Sequence, residues 1–284
     1  MMRALFTAAS GMIAQQTNVD VISNNLANVN STGYKTSSAE FKSLLYQTLQ
    51  SRSTSANGDY KPIPAQVGTG TRNASITTHF IQGALIDSSS NTAFGLEGEG
   101  LFGLMGPDGE TLYTRNGNFV MAKSSDGGFM LTSSEGYPVV DTDGAAIAFD
   151  SEMDPSHLVI TSDGQFFYRV IYEEEDEFGN KHQREVLEDL EIRMGVFQFI
   201  NPSGLDSVGS SMYKETEASG AAMEESATES LKRSKICQGR LEASNVQVAD
   251  EMVNLIVAQR AYEMNSKAIQ AADEMLGQAN QLKR

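Results

Sequence analysis

The sequence predicts an α+β protein with paired long helices at its two ends, coiled-coil-like in pattern, and a central antiparallel β domain. Three observations carry the prediction. Apolar residues recur at three- and four-residue steps near the N-terminus and at seven-residue intervals near the C-terminus, and closely spaced turn signals cut the region between.

In chain order, Leu5, Ala8, Met12, Val19, Ile22, Leu26 and Val29 form an a/d-type seam broken at Gln15. This helix is expected to run to about Val29 and to stop in NSTGYK, where Gly33 suits the left-handed conformation. The stretch SSAEFKSLLYQTL (37–49) reads as a possible second short helix, and SRSTSANGDYKPIP (51–64), rich in Ser, Asn, Gly and Pro, as an extended connector. From Val67 to about Tyr213, short apolar runs alternate with PDGE (107–110), RNGN (115–118), SDGG (125–128), DTDG (141–144) and SDGQ (162–165). Asn-Gly and Asp-Gly supply the positive φ of tight hairpins, so this region reads as hairpins and not βαβ units. The acidic segment 173–191, which begins EEEDE, reads as a solvated hairpin tip or loop.

Helix formers return from Ser226, and a last helix from about Ser244 to Leu282 would span about 58 Å at 1.5 Å per residue. Leu241, Val248, Leu255, Tyr262, Ile269 and Leu276 fall at seven-residue intervals, with Ala258, Ala272 and Ala279 on intervening d-type positions. The expected organisation is a terminal helical domain (1–35 and 236–284), a connector with a possible short helix (36–74) and a β-rich domain (75–235).

Helices with one narrow apolar seam gain most of their stability from a partner, because an isolated helix is marginal in water. Self-assembly is the natural reading. The candidate assembly residues are Leu5, Met12, Val19, Ile22, Asn25 and Leu26 at one end and Val248, Met252, Leu255, Tyr262, Ile269 and Leu276 at the other. Asn24, Asn25 and Asn28 fix register by demanding hydrogen-bond partners, and the methionines of both helices add adaptable contacts.

Composition narrows the function classes. With 284 residues, 37 acidic side chains against 21 basic and a formal net charge of −16, the chain lacks the cationic surface that nucleic acid requires. Cys237 is the single cysteine, so no internal disulfide or zinc knuckle is possible. The opening MMRALFTAASGMIAQQ is too short an apolar run for a cleaved signal or a membrane span, so neither membrane insertion nor a cleaved leader is expected.

Local motifs nominate no catalytic, cofactor or metal site. GEGLFG (98–103) has G-x-G-x-x-G spacing, but PDGE follows where a dinucleotide site needs a helix, so its glycines read as tight strand packing. DTDG lacks the later oxygen ligands of a calcium loop and reads as a turn. His79, His157 and His182 are scattered, and no serine sits in a nucleophile elbow. No cofactor is expected.

Four segments carry a family resemblance. SNNLANVNSTGYK (23–35) and LEASNVQVADEMVNLIVAQRAYEMNSKAIQAADEML (241–276) resemble the two terminal signatures of the bacterial flagellar rod and hook proteins. EGEGLFGLMGPDGETLYTRNGNF (97–119) resembles the start of that family's middle domain, and FINPSGLDSVGSSMYKETEASG (199–220) its close. Length, connector and single middle domain are most similar to the distal-rod type; the acidic segment departs from the pattern as an insertion. The resemblance implies a non-enzymatic structural subunit whose terminal helices pack in the core of an axial tube around a central channel, with the β domain outside. It implies a helical homopolymer, other rod and hook proteins as partners, export through the flagellar type III apparatus without signal cleavage, and a place in the basal body. A proximal rod or hook subunit is the alternative within the family. From another class, the rival is a secreted β-domain enzyme or binding module with an oligomerising helical hairpin.

Overall fold

The computed structural model describes residues 2–50, 65–107, 109–124, 127–151, 153–175, 181–228 and 231–282. The expected connector Ser51–Pro64, part of the PDGE and SDGG turns, and residues 176–180 of the acidic segment lie outside the described residues. The architecture is α+β, and the chain divides into two compact units.

The first unit comprises Met1–Ala27, Ser37–His79 and Val246–Arg284. It holds helix α1 (Met2–Ala27), strands β1 (Ser37–Ser43), β2 (Tyr46–Gln50), β3 (Ala65–Gly68) and β4 (Thr71–Thr78), and helix α2 (Val248–Gln281). The two helices pack on each other, and α1 also contacts β1 and β4. Strand β1 pairs antiparallel with β4, and β2 with β3.

The second unit comprises Asn28–Thr36 and Phe80–Asn245. Its six-stranded sheet orders Asp206–Gly209, Met212–Lys214, Thr111–Thr114, Leu101–Met105, Val196–Gln198 and Met223–Glu224, each antiparallel to its neighbour. A long hairpin, Gln165–Glu175 with Lys181–Arg193, carries the acidic segment. The core is aromatic and aliphatic, with Phe102 against Phe119 edge-on at 5.2 Å and Phe166 against Phe94 and Phe149 at 6.2 and 5.4 Å.

Two expectations are corrected. Residues 37–49 hold two strands, Ser37–Ser43 and the start of Tyr46–Gln50, and not a short helix, because β1 and β2 find partners in β4 and β3 and pairing overrides their weak helical preference. The described residues between Ser226 and Val246 are also not helical. Lys235–Gln238 pairs with Phe94–Glu97 and Arg240–Glu242 with Leu85–Asp87, so Leu241 lies on a strand and α2 begins only at Val248. Gly33 does adopt a positive φ of 69°, but six residues beyond the end of α1, where a side chain would strike the Arg115–Asn116 backbone.

The turn glycines 109, 127, 144 and 164 take positive φ, as the Asp-Gly dipeptides require. Gly117 of RNGN is different: a Cβ there would lie 1.7 Å from the Phe94 carbonyl oxygen, so close approach demands glycine. In DTDG, Asp141 Oδ1 accepts the N–H groups of Asp143 and Ala145, the hydrogen bonding of a turn. Gly100 and Gly103 sit where a Cβ would clash with Val196, Val140 and Phe197, and a strand instead of a helix follows Gly100.

Tyr113 packs edge-on against Phe197 and Phe199. Burial, reinforced by the Glu215 carboxylate, pushes its phenol up to about 12, and burial pushes Tyr213 up as well. Unfolded phenols ionise near pH 10, so stability present below that value is lost as pH rises through about 12. Denaturant titrations at about pH 9 and about pH 11 should show a lower midpoint at the higher pH, and Tyr113→Phe should narrow the difference.

Candidate assembly surface and its anchor

The first unit's helices expose large apolar side chains that its own packing leaves uncovered. Among the described residues, 18 of the 25 exposed large apolar side chains lie on this unit. On α1 they are Met2, Phe6 and Ile13, which share one face at 100° per residue. On α2, Val253, Ile256, Val257 and Met264 are 54–65% exposed. They lie on the side away from Ala258 and Ala272, which are 1% and 2% exposed.

The most buried side chains of the two helices include several small residues. Ala8, Ala14, Ala258 and Ala272 are buried, and a Cβ on Gly11 would lie 2.8 Å from the Asn265 amide nitrogen. Of the sequence-derived candidates on α1, Ile22 and Asn25 are buried and Leu5, Met12, Val19 and Leu26 half-buried. On α2, Leu255, Ile269 and Leu276 are half-buried, whereas Val248, Met252 and Tyr262 are exposed. Asn25 is committed within its own unit, donating from Nδ2 to the Ser37 carbonyl at 2.8 Å and accepting the Ser37 N–H at 3.0 Å.

Charge divides between the units. Residues 28–36 and 80–245 carry 12 Lys and Arg against 29 Asp and Glu, a formal −17, while the helical unit carries 9 against 8. The chain's acidity therefore belongs to the β unit, and the apolar faces belong to the near-neutral one.

The β unit also contains a buried charge cluster that sequence reasoning did not find. Glu242, 1% exposed, accepts from Lys35 Nζ at 2.6 Å, the Gly83 N–H at 2.7 Å and Arg115 Nε at 2.5 Å. Lys35 also donates to the Ile81 carbonyl, and Arg115 to the carbonyls of Gly100, Gly98 and Leu96. Asn245, in the same segment as Glu242, accepts the Thr36 N–H at 2.7 Å. Burial pulls the Lys35 ammonium below its ordinary range, opposed by the Glu242 carboxylate. Lys35, Arg115 and Glu242 lie in three different segments of the four that carry the family resemblance. That membership was the available signal, but nothing in the sequence says the three meet.

Comparison with known proteins agrees along the chain. The family described as "Flagella basal body rod protein" matches residues 5–35, "Flagellar hook protein FlgE/F/G D1 domain" residues 95–168, and "Flagellar basal body rod FlgEFG protein C-terminal" residues 238–282. The flagellar basal-body rod protein FlgG of Borreliella burgdorferi is 42% identical over 285 residues, covering 100% of both chains. That of Agrobacterium fabrum is 38% identical over 96% of this chain and 97% of its own, and that of Bacillus subtilis 33% identical over 100% of each. Fold, surface and matched segments define a structural protein of the rod and hook group. The chain belongs to the flagellar basal-body rod protein family. Its role is that of a rod subunit, not an enzyme.

Replacing one partner of a buried ion pair strands the other charges, at a cost of about 3–5 kcal/mol. Glu242→Gln should therefore lower the guanidinium midpoint of the β unit by that equivalent, whereas the exposed pair Arg240–Asp87 should be worth less than about 1 kcal/mol when Arg240 is replaced by Ala.

Proposed function

We propose that the chain is a distal-rod-type subunit that polymerises helically through α1 and α2, paired in a coiled-coil-like manner, around a central channel. The carrying observation is the concentration of exposed apolar side chains on the unit whose charges nearly cancel. Such a unit can approach copies of itself closely, because burying apolar surface stabilises contact and little charge must be desolvated. The β unit, at −17, suits the outside of a polymer, in water and counterions.

A head-to-tail contact repeated without closure gives a helical filament. The full-length relatives named as rod proteins support placement in the basal body. Other rod and hook proteins are the axial partners in this reading, and the flagellar type III apparatus is the export route, without signal cleavage. A proximal rod or hook position is the second reading, since residues 95–168 match a description that includes hook protein and residues 238–282 one shared across FlgE, FlgF and FlgG.

The experiment is polymerisation of the purified full chain, followed by sedimentation and electron microscopy. Wild type should form open-ended polymers. Leu255→Asp, on the inner seam of α2, should abolish them while the β unit stays folded; wild-type polymers from this variant would sink the seam assignment.

The helices gain their stability from partners, so exchange in the dilute monomer should differ between the units. Hydrogen exchange with mass spectrometry should be fast over 2–27 and 248–281 and slow over 94–214. Equal protection throughout would mean that the helices are self-sufficient, contrary to ordering on assembly.

A further inference from the structure

We propose that adjacent copies meet by a specific pairing: the outer ridge of α2 in one copy, led by Val253, Ile256 and Val257, seats in a cavity at the start of α1 in the next, and Asp250 of the first pairs with Arg3 of the second. The pairing rests on the polymer reading above and names the faces that reading requires.

The cavity lies in the helical unit and has a volume of about 340 Å³. Arg3 and Phe6 of α1, Gln47 of β2, Val67 and Gly68 of β3, and Thr69 line it. Phe6 is 69% exposed and Val67 41%, so among the described residues nothing covers the cavity's apolar wall. The volume admits more than one aliphatic side chain.

The matching surface is on the other helix. Val253, Ile256 and Val257 stand 59%, 54% and 62% exposed at steps of three and one, a compact aliphatic ridge. The same copy cannot use this ridge to hold its own α1, because the inner seam runs along the opposite side through Ala258 and Ala272. A non-closing polymer needs two different faces per subunit, one to give and one to receive. Ridge and cavity are such a pair.

Charge selects the occupant and its direction. Arg3 is the one charged residue of α1 before Asp20, and it borders the cavity. Asp250 is exposed three residues before Val253, one helical turn back along the ridge side. Neither side chain has an ion-pair partner among the described residues. Seating Val253 in the cavity brings Asp250 to its rim, where a cation stands. A reversed seating would place Arg260 there instead and set two cations together.

The test uses the full chain in a Cys237→Ser background. Arg3→Asp and Asp250→Arg are made singly and together, and Gln47→Cys and Val257→Cys are combined for oxidative cross-linking. All four positions are exposed, and circular dichroism of each monomer controls for folding. Each single reversal is expected to cut polymer yield about tenfold at limiting concentration, and the double reversal to restore it. The two-cysteine variant is expected to give a ladder of covalent oligomers, absent when either cysteine is alone. Polymers from wild type with no ladder, or single reversals that polymerise like wild type, or reversals without rescue, overturn the pairing and leave the polymer reading intact. Failure of the wild type to form open-ended polymers overturns the polymer reading and the pairing with it.

Discussion

The buried carboxylate of Glu242 is the constraint on which the β unit's closure depends. It is nearly inaccessible, and its oxygens are engaged by two cations and a backbone N–H drawn from residues 35, 83 and 115. An isolated charge at such a depth is too costly to keep, so this packing exists only when all three segments arrive together. The cluster also lies within a few residues of three of the unit's four boundaries in sequence, after residue 36, before residue 80 and after residue 245. Lys35 follows the turn after α1, and Glu242 and Asn245 precede α2; Asn245 holds the Thr36 N–H at 2.7 Å. The glycines of GEGLFG take part as well: Gly98 and Gly100 aim their carbonyls at the Arg115 guanidinium. A motif that looks like a phosphate cradle is the acceptor wall of a buried arginine.

Charge segregation imposes a second constraint, on association. A subunit with 29 acidic against 12 basic side chains in its β unit repels its own copies wherever those surfaces approach within a Debye length, about 8 Å at physiological salt. Beyond that distance the repulsion is screened. Close contact between copies is therefore cheapest through the other unit, where 9 basic residues face 8 acidic ones. Solubility and self-association coexist in one chain because they are assigned to different parts of it.

Legibility in the sequence followed the range of the interactions. The helices were readable because their pattern is local, and the Asp-Gly turns because glycine's positive φ is a property of the residue itself. Strands β1 and β2 were not, since what holds them is pairing with residues more than a dozen positions away, and SSAEFKSLLYQTL has no clean alternation. The hairpin at 206–214 also escaped: its two-residue turn is Ser210–Ser211, both at positive φ of 49° and 57°, a conformation that serine does not advertise. The Lys35–Arg115–Glu242 cluster joins segments separated by 80 and 127 residues, and no periodicity connects them. Of the assembly surface, the seven-residue repeat pointed to α2, but the outer ridge lies off that repeat and became visible only as exposure.

The placement of side-chain size on the two helices departs from that of a self-contained helical pair. Such pairs turn their bulky residues inward and leave polar ones outside, since burying apolar area stabilises the pair. Here the inward side mixes Ala8, Gly11, Ala14, Ala258 and Ala272 with Ile22 and half-buried Leu255 and Ile269, while Phe6, Ile13, Val253, Ile256, Val257 and Met264 face out. Small residues let the helices approach closely but bury little area per turn, so the pair by itself is weakly held. The larger side chains add their stabilisation only when another surface covers them. A close, thin seam inside and a broad apolar face outside make the helical unit an incomplete structure, which a further covering surface would complete.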